Sequence, residues 1–277
     1  MTADKPKHLL LSLRRWKERL LWGDRIREQL FAWLLRRHYE SLFKRLWQLN
    51  ETRPHFTYHR LAWFLFGFGA NRMHPYQLFR AFYTAEVLRP GDVVLDIGCG
   101  DGFLTKHFLG SQCAQIDAID IDPAAIRIAK RDNQRANVTY YLTDAIADPF
   151  PRRQYNVVVW NGAIGHFTVN DTKTVLEKIR SALPQDGLFV GSESLGHEGS
   201  DHLQFFTSAT DLAELLHSEF PHVWTKTLRY RVFNTEIIRN EAHWRCSNST
   251  ERLTESSWLR FAPVQNVAAA SYAGSGA

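Results

Sequence analysis

From Leu9 to about Asn50 apolar residues recur at helical spacing, as in Leu9, Leu13, Trp16 and Leu20, and again in Ile26, Leu30, Trp33 and Leu34, with arginines and lysines between them. This periodicity predicts two or three amphipathic helices. Pro54 and Pro75 punctuate the segment, and Gln77 to Leu88 reads as one more helix, stopped by the turn Arg89-Pro90-Gly91. Beyond that turn, short aliphatic and β-branched runs alternate with helical stretches, the pattern of βαβ units that lay down a parallel sheet. Strands are expected at Val93 to Ile97, Gln115 to Ile119, Val138 to Leu142, Asn156 to Trp160 and Leu188 to Ser192. Helices are expected at about Phe103 to Leu109, Pro123 to Gln134, Asp171 to Leu183 and Thr210 to Phe220. Two further runs, Trp224 to Val232 and Thr235 to Arg239, predict a terminal antiparallel hairpin turning near Asn234. The chain thus divides into a helical segment, 1–79, an α/β domain, 80–262, and a tail, 263–277, whose Ala, Ser and Gly content reads as disordered.

Charge sharpens this division. Net charge is +5 over 277 residues, but residues 1–60 carry 14 Lys/Arg against 6 Asp/Glu, leaving 20 against 23 for the rest of the chain. The basic character therefore belongs to the helical segment, and the α/β domain is neutral to acidic. Three cysteines, Cys99, Cys113 and Cys246, show neither a CxxC pair nor zinc spacing, so no disulfide framework or metal site is expected and a reducing, cytoplasmic setting fits. Arg14, Arg15, Lys17 and Arg19 interrupt the early leucines, unlike an export signal. The longest apolar run, Leu61 to Phe68, falls short of the roughly 20 residues that cross a bilayer.

The chemistry is concentrated where the first strand runs into Asp96-Ile97-Gly98-Cys99-Gly100-Asp101-Gly102. Glycines there let the chain turn tightly and a ligand approach the backbone. A pyrophosphate would be repelled by Asp96 and Asp101, so a ligand that carries positive charge fits this loop better, and the acids set a nicotinamide dinucleotide aside. The second strand ends in Asp120, 24 residues after Asp96, where a βαβ unit presents a carboxylate to two ribose hydroxyls. Ile121 can cover one face of an adenine, and Asp122 before Pro123 reads as a helix N-cap. Thr143-Asp144-Ala145 offers a carboxylate and a backbone amide to an adenine edge, or else a turn-capping aspartate. The fourth strand ends in Trp160-Asn161-Gly162, and Pro184-Gln185-Asp186-Gly187 introduces the fifth.

In that order these motifs resemble those of class I S-adenosylmethionine-dependent methyltransferases, over about residues 80 to 240. The resemblance implies an α/β, doubly wound, Rossmann-like fold: a mostly parallel seven-stranded sheet with an antiparallel last strand, and cofactor and substrate above the strands' carboxyl ends. It implies S-adenosylmethionine as cofactor. Residue by residue, Asp96, Gly98, Cys99, Gly100 and Gly102 match the methionine side, Asp120 with Ile121 the ribose and adenine, Asp144 and Ala145 the adenine edge, and Asn161 the end of the fourth strand.

Methyl transfer is an in-line displacement, so the protein must align the acceptor and, for some acceptors, take up a proton. His166, just past the fourth strand, and His202 are the candidates for that proton, His166 alternatively being a rim histidine bonded to backbone. The polar stretch Ser192 to Phe206 is the expected acceptor loop, with Glu193, His197 and Asp201 as contacts, although a solvated loop accounts for it too. No Asn-Pro-Pro-Tyr-like tetrapeptide follows the fourth strand and no Pro-Cys dipeptide occurs, which disfavours amino methylation of adenine or glutamine and carbon methylation of cytosine. A small-molecule or glycan acceptor is expected. RNA reached through the basic segment, and a non-catalytic adaptor, are the rivals. Three roles suit the segment itself: a lid on the domain, a peripheral membrane contact through Trp16, Trp22, Trp33, Trp47 and the Leu61 to Phe68 run, or RNA binding.

Overall fold

The computed structural model describes residues 26, 29–30, 33–34, 37, 76–196, 202–231, 238–253 and 259–260. By its contacts the chain divides into Met1–Met73 and His74–Ala277. In the first unit Ile26, Leu30, Trp33 and Leu34 are helical and exposed, with the Arg37 guanidinium over the Trp33 ring at 4.9 Å. The remaining helices expected there, and the tail 263–277, lie outside the described residues.

The second unit opens with helix α1 (Tyr76–Ala85), followed by β1 (Val93–Ile97), β2 (Gln115–Asp120), α2 (Pro123–Asp132), β3 (Val138–Leu142), β4 (Val157–Asn161), α3 (Val169–Ala182), β5 (Leu188–Leu195), α4 (Ala209–His217), β6 (His222–Arg231), β7 (Ile238–Ser247) and β8 (Leu259–Arg260). The sheet order is β3-β2-β1-β4-β5-β7-β6-β8. Strands β1 to β5 pair in parallel, and β7 lies antiparallel between β5 and β6. The seven expected strands are all present, and the two-residue β8, which the sequence did not suggest, pairs with β6.

Helix ends follow local chemistry. Asp122 caps α2 through Ala124 N–H with Pro123 in the first turn, as expected. Thr168 accepts from Asp171 N–H and so starts α3 at Val169, two residues before the expected Asp171, and Ser208 with Asp211 forms a capping box on α4. Between β1 and β2 only Phe103 and Leu104 are α-helical before a π-helical turn, Thr105–Leu109, closed by Gly110 N–H to Thr105 C=O at 2.8 Å.

Two apolar layers hold the sheet. On one face α3 and α4 pack Val175, Leu176, Ile179, Leu212 and Leu216 against Trp160, Phe189 and Trp244. On the other, Ile126 and Ala129 of α2 and Leu109 of the π turn meet Val94, Ile116, Val157 and Val190. Each large side chain buried this way contributes about 1.5–3 kcal/mol. Gly191 gives Trp244 its place, since a Cβ there would come within 2.2 Å of the indole.

The expected hairpin exists but is longer than its signal. β7 runs ten residues to Ser247, well beyond the expected Arg239. Its alternation sends Ala242, Trp244 and Cys246 into the apolar layer and Glu241, His243 and Arg245 to the opposite face. Buried charges on alternate positions hid the strand from hydropathy. Because β7 pairs with β5 from Phe189 to Leu195, Ser192, Glu193 and Ser194 are strand residues and not part of the expected loop.

Candidate cofactor and acceptor site

Past Ile97 the chain reverses through Gly98, Gly100 and Gly102, with φ of 68°, 57° and 74°, a region that side chains with a Cβ seldom enter. The three glycines serve different purposes. At Gly98 a Cβ would stand 2.8 Å from Ala163, where this loop abuts the one after β4. At Gly102 it would strike the Tyr140 ring at 2.6 Å, so this glycine serves packing. Gly98 and Cys99 N–H both donate to Ile119 C=O, at 2.9 and 3.1 Å, tying the loop to the end of β2.

There Asp120 turns its carboxylate toward the loop. Oδ2 accepts from Gly100 N–H and Oδ1 from Asp122 N–H, each at 2.8 Å. The carboxylate is thus oriented by two fixed donors before any ligand arrives. Asp96 is buried, and its Oδ2 accepts from the Thr105 hydroxyl at 2.6 Å. Burial drives its carboxyl up to about 7, against the pull of the Thr105 bond and with help from the charge on Asp120. Asp101 caps the helical start through Phe103 N–H. Burial and the charges of Asp120, Asp96 and Asp101 push the Cys99 thiol up, so it stays protonated and is no nucleophile.

Beyond Asp120, Ile121 is 64% exposed and Leu142, opposite Asp120 in the ladder, is 56% exposed, which leaves an apolar shelf beside the carboxylate. Asp144 Oδ1 accepts from Ile146 N–H at 2.8 Å, the turn-capping role weighed for it above. Ala145 is buried and its carbonyl accepts from Lys178 Nζ at 2.6 Å. Asn161 is held at both ends of its amide, donating to Thr84 Oγ1 and accepting from Ser192 Oγ, each at 2.9 Å. Its side chain fastens α1 to the ends of β4 and β5.

Past the end of β4, His166 and His202, the two candidates for proton uptake, come together with ring centroids 4.5 Å apart and planes at 75°. Gly165 makes room for them, since a Cβ there would meet His202 Nδ1 at 2.6 Å. Glu193, buried in β5, accepts from Gly165 N–H at 3.2 Å and so braces the short helical turn Ile164–His166. Leu203 N–H and Gln204 N–H close the far side by donating to Gly165 C=O. His197 and Asp201 lie outside the described residues.

The helix expected at Gln77 to Leu88 is present as α1 (Tyr76–Ala85), but the sequence reading did not place it against the strand ends of the site. Arg80 reaches over Gly162 and pairs with Glu241 through two bonds, at 2.8 and 3.4 Å, and Thr84 holds Asn161. The available signals were a lone arginine on the buried face of an otherwise apolar helix, and alternate charges in β7.

Residues 94–187 match a family model described as a methyltransferase domain. Malonyl-acyl-carrier-protein O-methyltransferase of Acetivibrio thermocellus is 32% identical over 129 residues, 46% of this chain and 44% of that protein. The mitochondrial arginine-hydroxylase NDUFAF5 of Rattus norvegicus is 30% identical over 150 residues, 47% of this chain and 42% of that one. The match spans under half the length of these relatives. Among solved structures, a chain of a methyltransferase–activator complex from Haloferax volcanii aligns with a TM-score of 0.51 at 13% identity, covering 63% of this chain and 92% of that one. A Leishmania major S-adenosylmethionine-dependent methyltransferase aligns with a TM-score of 0.50 at 17% identity, covering 60% and 69%. At such identities these two likenesses speak for the fold alone. The glycine loop, its acids, the strand order and the matched residues agree: residues 94–187 are a methyltransferase domain, carried on the class I S-adenosylmethionine-dependent methyltransferase fold.

Proposed function

We propose that the protein transfers a methyl group from S-adenosylmethionine to a small-molecule or glycan-type acceptor, in the cytoplasm. The observation that carries this reading is the Asp120 carboxylate, held by Gly100 and Asp122 N–H at the mouth of a loop whose acids favour a cation. The residues suit the cofactor: Asp120 for the ribose hydroxyls, Ile121 and Leu142 for an adenine face, and Asp96 for the amino group, directly or through a water. When bound, S-adenosylmethionine supplies a methyl whose bond to sulfur breaks as the bond to the acceptor forms, leaving S-adenosylhomocysteine. The protein aligns the acceptor for this displacement, and the His166–His202 pair takes up the proton that an oxygen or nitrogen acceptor gives up.

A relative named as a hydroxylase makes the test necessary, since family membership alone does not decide the reaction. Calorimetric titration with S-adenosylhomocysteine should show one site, and Asp120→Ala should weaken it about 100-fold, the worth of two hydrogen bonds to a charged group. Wild-type affinity in Asp120→Ala refutes the ribose assignment. No binding by the intact chain favours the adaptor. Labelled-methyl transfer to fractionated extract identifies the acceptor class, and label on RNA, with RNA binding that falls steeply as salt rises, replaces the small-acceptor reading.

For the segment before the domain, exposed Ile26, Leu30, Trp33 and Leu34 on one helical face, among basic residues, support peripheral attachment to an anionic lipid surface. Cosedimentation with phosphatidylserine vesicles but not phosphatidylcholine vesicles is the expected result, and sedimentation with neither refutes it.

A further inference from the structure

The turn after β3 is held from outside by one side chain. Lys178, on α3, donates from Nζ to three carbonyls of that turn, Ala145 and Asp148 at 2.6 Å and Ile146 at 3.2 Å. An ammonium has three N–H donors, so this one spends them all on the turn. It also lies 4.8 Å from the centre of the Phe150 ring. Burial lowers the pKa of this ammonium, and the charges of Asp144 and Asp148 act against that.

Inside the turn most amides are spent as well. Asp144 N–H donates to Asp148 Oδ2 and Asp148 N–H to Asp144 C=O, each at 2.9 Å. Ile146 and Ala147 N–H donate to Asp144 Oδ1 at 2.8 and 3.4 Å. Among the described residues Ala145 N–H has no partner. Its direction follows from the planar trans peptide that joins it to Asp144, because N–H and C=O point opposite ways across such a plane. Asp144 C=O is turned inward onto Asp148 N–H, so Ala145 N–H points back toward the end of β3. There Leu142 and Ile121 form the exposed apolar shelf.

Without the ammonium, the part-buried carbonyls of Ala145 and Ile146 lose the donor that fixes their peptide planes. We propose that Lys178 is a positioning residue for the adenine of S-adenosylmethionine: by gripping the carbonyls of Ala145, Ile146 and Asp148 it aims Ala145 N–H at the acceptor edge of the base. This inference rests on the methyltransferase reading and adds the residue that sets its choice of base.

The test is calorimetric titration of the full chain with S-adenosylhomocysteine and with its inosine counterpart, S-inosylhomocysteine. Adenine accepts a hydrogen bond at N1, whereas hypoxanthine carries a proton there and meets the amide with a second donor. The wild type should prefer the adenine ligand by about tenfold or more, the worth of one hydrogen bond. Lys178→Met keeps the length of the side chain without its charge. It should lose about tenfold for the adenine ligand and little for the inosine one, and amide hydrogen exchange over 144–148 should quicken. Lys178→Arg keeps a cation on the turn, and the fold with it, and should retain the preference, whose loss there overturns the proposal. Equal losses for both ligands in Lys178→Met mark a merely structural lysine and overturn it too, as does an undiminished preference or unchanged exchange. A wild type that binds both ligands alike overturns this proposal alone, whereas binding of neither overturns the methyltransferase reading as well.

Discussion

Replacing Asp96 by asparagine should make the unliganded protein more stable and its cofactor site worse, two effects of opposite sign from one substitution. The buried carboxyl titrates at about 7, against 3.8 when unperturbed. Between those values the folded chain keeps a proton that the unfolded chain has released, so stability falls as pH rises through the window. At about 1.4 kcal/mol per pKa unit, the full penalty above pH 7 is on the order of 4 kcal/mol. Asparagine carries no such penalty and can still accept from Thr105, whose hydroxyl lies 2.6 Å from Oδ2. Urea denaturation followed by circular dichroism should therefore show the advantage of Asp96→Asn growing by on the order of 3 kcal/mol between pH 5 and pH 8. Cofactor binding should run the other way. An ammonium group favours the ionised carboxylate, so wild-type affinity for S-adenosylhomocysteine should rise from pH 6 to pH 8 with proton release on binding, and the variant should bind more weakly with a flat profile. A stability difference independent of pH, or an unchanged affinity profile in the variant, would refute the electrostatic account of the loop.

Three other expectations follow from packing and chemistry. Gly102→Ala combines a φ of 74° with a methyl 2.6 Å from the Tyr140 ring, and should cost about 2–4 kcal/mol in denaturant unfolding. Arg252→Ala removes a guanidinium that grips Asp92 through bonds of 3.1 and 2.7 Å, and should cost about 3–5 kcal/mol because a carboxylate is left buried. The same measurement on Asp92→Asn with Arg252→Met should recover most of that loss. His202→Ala should lower kcat about 100-fold while S-adenosylhomocysteine affinity stays within threefold, and an unchanged kcat would remove the histidine pair from proton transfer.

Much of the glycine-loop half of the candidate site was legible because its requirements are local. A strand, a glycine turn and a helix start occupy consecutive residues, and an acid at the end of the next strand follows one βαβ unit later, so spacing alone brought Asp96, Gly98 and Asp120 to one loop. Asp122 as N-cap was equally readable. The acceptor half was not, because it is assembled from segments far apart. Glu193 read as loop until β7 paired along β5, and Asn161, expected on the cofactor at the end of the fourth strand, gave no sign that Thr84 and Ser192 hold its amide. Arg80 and Glu241 meet across 161 residues, and no periodicity announces such a pair.

From the sequence by itself came the doubly wound class, the glycine turn with its acids and the concentration of positive charge before residue 60, since backbone geometry, alternation and charge are properties of neighbours. Tertiary structure alone decided that β7 enters between β5 and β6, that α1 lies over the strand ends on a buried ionic layer, and that His166 faces His202. Those outcomes depend on which buried charges find partners when distant strands pair, and pairing energies of that kind are not written in any local window.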